Sequence, residues 1–229
     1  MIVIYPYEQL GHADHGWLNA RHHFSFASYR NPARTGFGSL LVINDDIIQA
    51  GTGFDTHPHQ DMEIITYVRK GAITHRDNKG NEGRTVVGDI QVMSAGTGIF
   101  HSEYNLESED TNIYQIWIEP NKLGVDPVWD AREFPKEATK GALSLLVSGD
   151  GKAPLSINQN AYIYAGKLPK GSELVHPVHQ QAYLLVSEGE LELDGKRMKK
   201  GDGAEITGEH SFRLKALSDA DVLVIDVPK

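Results

Sequence analysis

The chain has 229 residues, 40% of them hydrophobic and 23% charged, which suits one large or two small globular domains with a sizeable core. A net charge of −9 argues against direct binding of nucleic acid or an anionic membrane surface, since both call for clustered Lys and Arg. The lack of cysteine excludes disulfides, iron–sulfur clusters and thiolate zinc sites.

Met1 to Leu10 holds a short apolar run with no basic start and no small-residue cleavage site. No apolar run approaches the roughly 18 residues of a membrane span, so a cytoplasmic protein without membrane association is expected. Residues 11–30 are rich in His and aromatics but lack a clear period, and read as a loop packed on a barrel. Their histidines (His12, His15, His22 and His23) match no common metal-ligand spacing. From Ser39 the texture becomes β: S-L-L-V-I-N-D-D-I-I-Q-A carries two apolar runs about Asn-Asp-Asp, a hairpin signal. Strands are predicted over Met62–Arg69, Ala72–Arg76, Thr85–Met93 (through Gly88-Asp89) and Asn112–Ile118, separated by Gly-rich turns. Residues 120–145, with Pro120, Pro127 and Pro135, read as a connector. Beyond it β texture returns, and the second half echoes the first: Val68-x-x-Gly71 recurs as Val186-x-x-Gly189, and Gly88-Asp89 as Gly201-Asp202. A repeat of this size implies two copies of one antiparallel β domain, divided as residues 1–132 and 133–229.

The chemistry concentrates between Gly51 and Asn105. His57 and His59 are two apart, and so are His101 and Glu103. On an extended strand such pairs point to one face, so two adjacent strands can aim all four at one point. Three imidazoles and a carboxylate without thiolate suit a borderline divalent metal. In the second half, counting from Gly171, the matching positions are Pro177, His179 and Tyr183, and no His-Ser-Glu follows Gly201-Asp202. His176 and His179, three apart, do not share a strand face. That half is expected to lack a metal site.

Gly51-x5-His57-x-His59-x3-Glu63 resembles the first cupin motif, and Gly88-x5-Ser94-x-Gly96 followed by His101-x3-Asn105 resembles the second. More narrowly, H-G-W-L, H-F-S-F-A, T-H-P-H-Q-D-M-E and S-A-G-T-G-I-F-H-S-E-Y-N resemble the pirin family. The resemblance implies an all-β bicupin of two stacked antiparallel β-barrels, jelly-roll or cupin domains, with metal only in the first. It implies His57, His59, His101 and Glu103 as ligands, with coordination places left open. Generic cupins take the carboxylate from the first motif, here Glu63, which lies an even offset from His59. Glu103 is favoured on the pirin pattern, with Glu63 behind a ligand imidazole as its orienting partner. The implied metal is Fe(II), with Zn, Cu, Ni, Mn or Co able to occupy the same donors.

The implied activity is that of a quercetin 2,3-dioxygenase, opening a flavonol, a planar polyphenol, with O2 and releasing carbon monoxide. Glu103 is then a candidate general base for the flavonol hydroxyl. The alternative the family offers is a non-catalytic, redox- or iron-sensing regulatory protein that binds a protein partner. Metal-dependent isomerase or hydrolase chemistry, which cupins also host, is a third reading.

Overall fold

The computed structural model describes residues 1–134 and 136–229; Pro135 of the connector lies outside the described residues. Among those residues there is no α-helix, only a 3-10 turn at Tyr7–Gln9, and no helix long and apolar enough to cross a membrane. The chain opens with β1 (Ile2–Tyr5), β2 (Gly11–Asp14), β3 (Leu18–His22) and β4 (Leu40–Ile48). Then come β5 (Gly53–His59), β6 (Glu63–Lys70), β7 (Ala72–Asp77) and β8 (Glu82–Val86). β9 (Ile90–Ser94), β10 (Ile99–Tyr104), β11 (Thr111–Ile118) and β12 (Val128–Arg132) follow. The rest carries β13 (Ser144–Ser148), β14 (Leu155–Ser156), β15 (Tyr162–Leu168), β16 (Glu173–Pro177) and β17 (Gln181–Glu188). It ends with β18 (Glu190–Leu193), β19 (Lys196–Lys199), β20 (Gly203–Ile206), β21 (Ser211–Ala216) and β22 (Ala220–Val227).

The strands form two compact units. Gly11–Phe134 with Pro154–Gln159 makes one, and Met1–Leu10, residues 136–153 and Asn160–Lys229 make the other. The expected division at residue 132 put the first ten residues with the N-terminal domain. Instead β1 pairs antiparallel with β20, from Ile2 opposite Ile206 to Tyr5 opposite Gly203, and so belongs to the C-terminal unit.

Each unit is a sandwich of two antiparallel sheets rather than a closed barrel. In the N-terminal unit a sheet ordered β12-β9-β6-β11-β4-β3-β2 faces one ordered β5-β10-β7-β8. In the C-terminal unit the orders β1-β20-β17-β22-β15-β13 and β16-β21-β18-β19 repeat that plan. The repeat extends to single hydrogen bonds. Val68 N–H donates to Asp89 O and Gly88 N–H to Val68 O, at 3.2 and 2.8 Å; Val186 with Asp202 and Gly201 does the same at 3.1 and 2.8 Å. Gly88 and Gly201, at φ 82° and 87°, supply the left-handed turn that both copies need.

Two sequence expectations change. Asn44-Asp45-Asp46 is not a hairpin turn but the middle of the nine-residue strand β4. The polar run stays extended because its side chains alternate between faces: Asn44 bonds His22 on the inner face, while Asp45 on the outer face pairs with Arg69 at 2.5 Å. Residues 11–22 are not a loop but the β2–β3 hairpin, with Ala13 opposite Ala20, added to the edge of the large sheet.

β5 approaches β10 closely at Gly53, opposite Tyr104. A Cβ there would lie 2.3 Å from Glu103 O and 2.6 Å from Tyr104 Cα, so only glycine fits. Gly53→Ala is expected to cost about 1–3 kcal/mol through strand separation. Thermal denaturation should show a lowered midpoint, with metal stoichiometry reduced because β5 carries two of the candidate ligands.

Candidate metal centre

The inner face of the small sheet brings the site together. His57 lies directly opposite His101, and His59 opposite Ile99. The register then slips by one residue, so that Glu103 faces Phe54, a bulge on the β5 side at Asp55–Thr56. One nitrogen from each of His57, His59 and His101 falls in a group whose atoms all lie within 4.8 Å of one another. His57 Nε2 and His101 Nε2 are 3.1 Å apart. Two imidazoles sharing an ion at about 2.1 Å would place their nitrogens near that spacing.

The outer nitrogens are held as a metal site requires. His57 Nδ1 is 2.6 Å from Asp55 O, which can only accept, so Nδ1 carries the proton and Nε2 keeps its lone pair. His101 Nδ1 faces His75 Nδ1 at 3.4 Å, and His75 Nε2 is 2.9 Å from Asp77 Oδ2. His75 Nε2–H donates to the carboxylate, so His75 Nδ1 accepts from His101 Nδ1–H and leaves His101 Nε2 free for metal. His75 also stacks on Trp129, with centroids 4.8 Å apart and planes 8° from parallel. Burial pushes the Asp77 carboxyl up, but hydrogen bonds from His75, Asn81 and two backbone amides outweigh it and leave the group below its ordinary value. His75 and Asp77 were not singled out from the sequence. The signal was present: they are a third i, i+2 pair, on the strand paired with β10.

Burial first, then the neighbouring imidazoles His57 and His75, brings His101 down to about 3. Burial, then His101 and His57, brings His59 to about 4. Both rings are therefore neutral, the form that binds metal.

Glu103 lies fully inside the sandwich. Its Oε1 accepts from Thr66 Oγ1 and Gln91 Nε2, both at 2.7 Å, and its Oε2 from Gln115 Nε2 at 2.6 Å. It lines the same cavity as the three imidazoles. Glu63 does not. Its oxygens accept from Ser94 Oγ at 2.6 Å and Asn158 Nδ2 at 3.0 Å, and among the described residues no imidazole is bonded to it. Burial raises its carboxyl despite these bonds. The parity argument for Glu63 assumed an unbroken strand, but the chain turns at Gln60–Met62, where Asp61 takes φ 46°, and β6 leaves in a new direction. The orienting partners are Asp55 O on His57 and His75 on His101, not Glu63.

The cavity measures about 280 Å³ and is walled by Leu18, Phe26, Phe54, Ile64 and Trp117 as well as the polar groups. Trp117 meets His59 edge to face at 5.1 Å. His22 and His15, expected to sit on a rim loop, also line this cavity.

In the C-terminal unit the corresponding places are filled. Thr66 is in register with Gln91 and Gln115; the equivalent row is Leu184, Ala204 and Val224, all fully buried in one apolar cluster. By this register the partner of Glu63 is Gln181 rather than Tyr183, and His179 lies past the end of β16. His179 Nε2 is 3.1 Å from Tyr164 Oη, and His176 packs between Tyr164 and Phe212.

Paired sandwiches of this topology, one of them carrying an inward imidazole triad, define a bicupin. The Pirin family model matches residues 4–118, and a Quercetinase C-terminal cupin domain model matches residues 145–227. The chain belongs to the pirin family. It is 49% identical to a "Pirin-like protein" of Caulobacter vibrioides, with 99% of each chain covered. It is 42% identical to the "Quercetin 2,3-dioxygenase" of Escherichia coli K12, over 100% of this chain and 99% of that one. A crystal structure of the bacterial pirin YhhW from Escherichia coli in complex with nickel(II) matches with a TM-score of 0.93 at 41% identity, covering 100% of this chain and 99% of that one.

His75→Phe, which keeps the stacking surface on Trp129 but removes the acceptor, should weaken metal binding about 10- to 100-fold. Titration calorimetry with Ni(II) or Zn(II) reads it, and unchanged affinity would remove His75 from the site. Acid should also destabilise the metal-free protein. The unfolded chain takes up imidazole protons near pH 6.5, whereas His59 and His101, with buried His23 at about 3, take them up only near 3–4. Through these three rings the unfolded state binds more protons below pH 6.5, so their contribution to stability declines as pH falls from about 6.5 toward 4, opposed in part by the raised Glu63 carboxyl. Urea midpoints recorded across that range check the sign.

Proposed function

We propose that the chain is a metal-dependent dioxygenase that opens a flavonol with O2 and releases carbon monoxide. The observation that carries this reading is the opening of three convergent imidazoles onto a cavity that also has apolar and aromatic walls. Relatives named quercetin 2,3-dioxygenase over their whole length support the same reading. Its size, about 280 Å³, falls at the small end of small-molecule pockets and suits one flat ligand.

His57, His59 and His101 would hold the metal, and Glu103, which is outside their convergent group and bonded to Thr66, Gln91 and Gln115, stays a fourth ligand only on the family pattern; Fe(II) is the ion proposed, and the donor set equally accepts nickel, zinc, copper, manganese or cobalt. When bound, a divalent ion there supplies Lewis acidity toward a ligand oxygen and a place for dioxygen. Phe54 and Trp117 line the cavity and offer aromatic surface to a planar ring. Glu103 is the proposed acceptor of the proton that the flavonol hydroxyl releases; Thr66, Gln91 and Gln115 hold it in place for that transfer. The apolar walls exclude bulk water from the reacting centre.

Anaerobic protein loaded with Fe(II) and mixed with quercetin should lose flavonol absorbance only on admission of air. His101→Ala should abolish both metal binding and this loss. Equal loss without metal, or without O2, removes the dioxygenase reading. Tight metal binding with no turnover would instead fit the regulatory role.

A further inference from the structure

Asp46 stands out on the cavity wall. It sits on β4 between Ala20 of β3 and Ile113 of β11, and Ile113 in turn faces Val68 of β6. Every other side chain in this row is apolar and buried. Asp46 is itself 2% exposed and lines the same cavity as the imidazole triad. Among the described residues its Oδ1 has no hydrogen-bond partner. Its neighbour Asp45, on the opposite face, pairs with Arg69 and accepts from Asn112 Nδ2 at 2.9 Å.

An unpartnered buried carboxyl is destabilising, so the fold gives no reason for it. The C-terminal copy agrees: the equivalent of Asp46, opposite Val222, is Gly166, and that sandwich closes without a carboxyl there. Asp46 as a residue lines the cavity, and a buried polar side chain on a cavity wall is satisfied by what enters the cavity.

We infer that Asp46 is a ligand-binding residue that hydrogen-bonds a phenolic hydroxyl of the polyphenol and so selects among hydroxylation patterns. The inference rests on the reading of the cavity as a polyphenol site and adds to it a residue outside the metal centre. Burial, followed by the negative charges of Asp45 and Glu103, pushes the Asp46 carboxyl well above its ordinary value. A neutral acid both donates and accepts, as a hydroxyl does, so each can satisfy the other.

The test is anaerobic binding to metal-loaded protein, read by tryptophan fluorescence, with quercetin and analogues each lacking one hydroxyl. Wild-type protein should bind one analogue at least about tenfold more weakly than quercetin. Asp46→Ala, which adds no volume, should weaken quercetin about 10- to 100-fold and bind that analogue and quercetin alike. Asp46→Asn, which keeps a donor and an acceptor, should stay within about threefold of wild type. Metal stoichiometry should be unchanged in both variants, and the thermal midpoint of Asp46→Ala no lower than wild type. Undiminished quercetin binding by Asp46→Ala overturns the inference alone, as does an equal loss in Asp46→Asn. Loss of metal or a lowered midpoint in Asp46→Ala makes the role structural and also overturns it. If wild-type protein binds no flavonol, the polyphenol reading falls and the inference with it.

Discussion

A row of polar side chains crosses the core of the N-terminal sandwich where such a core is ordinarily apolar. His22, Asn44, Gln115, Thr66 and Gln91 lie in register across β3, β4, β11, β6 and β9. Buried amides and hydroxyls are costly unless bonded, and this row is bonded largely through one residue of the facing sheet. Glu103 accepts from Thr66, Gln91 and Gln115, and Thr85 fixes Gln91 in turn. The carboxylate and the row thus require each other. Together they pin β10, and with it His101, to the large sheet.

The C-terminal copy shows the same scaffold without that requirement. Its strand orders match, its paired backbone bonds match, and its equivalent row is Leu184, Ala204 and Val224. Filling the row with aliphatic side chains packs it into one buried apolar cluster. One sandwich is therefore built for packing and the other gives up packing for a polar interior. A fold alone does not carry function; the grafted side chains do.

On the small sheet, three i, i+2 pairs lie side by side: His57 and His59, His101 and Glu103, His75 and Asp77. The bulge in β5 turns the Asp55 carbonyl toward His57 Nδ1, and Asp77 reaches His101 through His75. Each orienting group sets a tautomer, so the lone pairs of His57 and His101 converge before any ion arrives. Preorganisation of this kind lets a small number of ligands bind tightly while leaving coordination places open.

Strand alternation and motif spacing determined the all-β class, the internal repeat and the triad, because the two-residue period of a strand maps directly onto which side chains share a face, while the family came from the resemblance of the motifs themselves. They did not decide the path of Asn44-Asp45-Asp46, the side of Glu63, the company of β1 or the place of His75. Polar residues at turns and polar residues buried opposite partners look alike along the chain; only the strand beside them supplies the partner. Arg69 across from Asp45, His22 beside Asn44, and Ser94 with Asn158 around Glu63 are distant in sequence and adjacent through pairing. Register between strands, which depends on every turn and bulge at once, is the quantity that local sequence leaves open and tertiary structure settles.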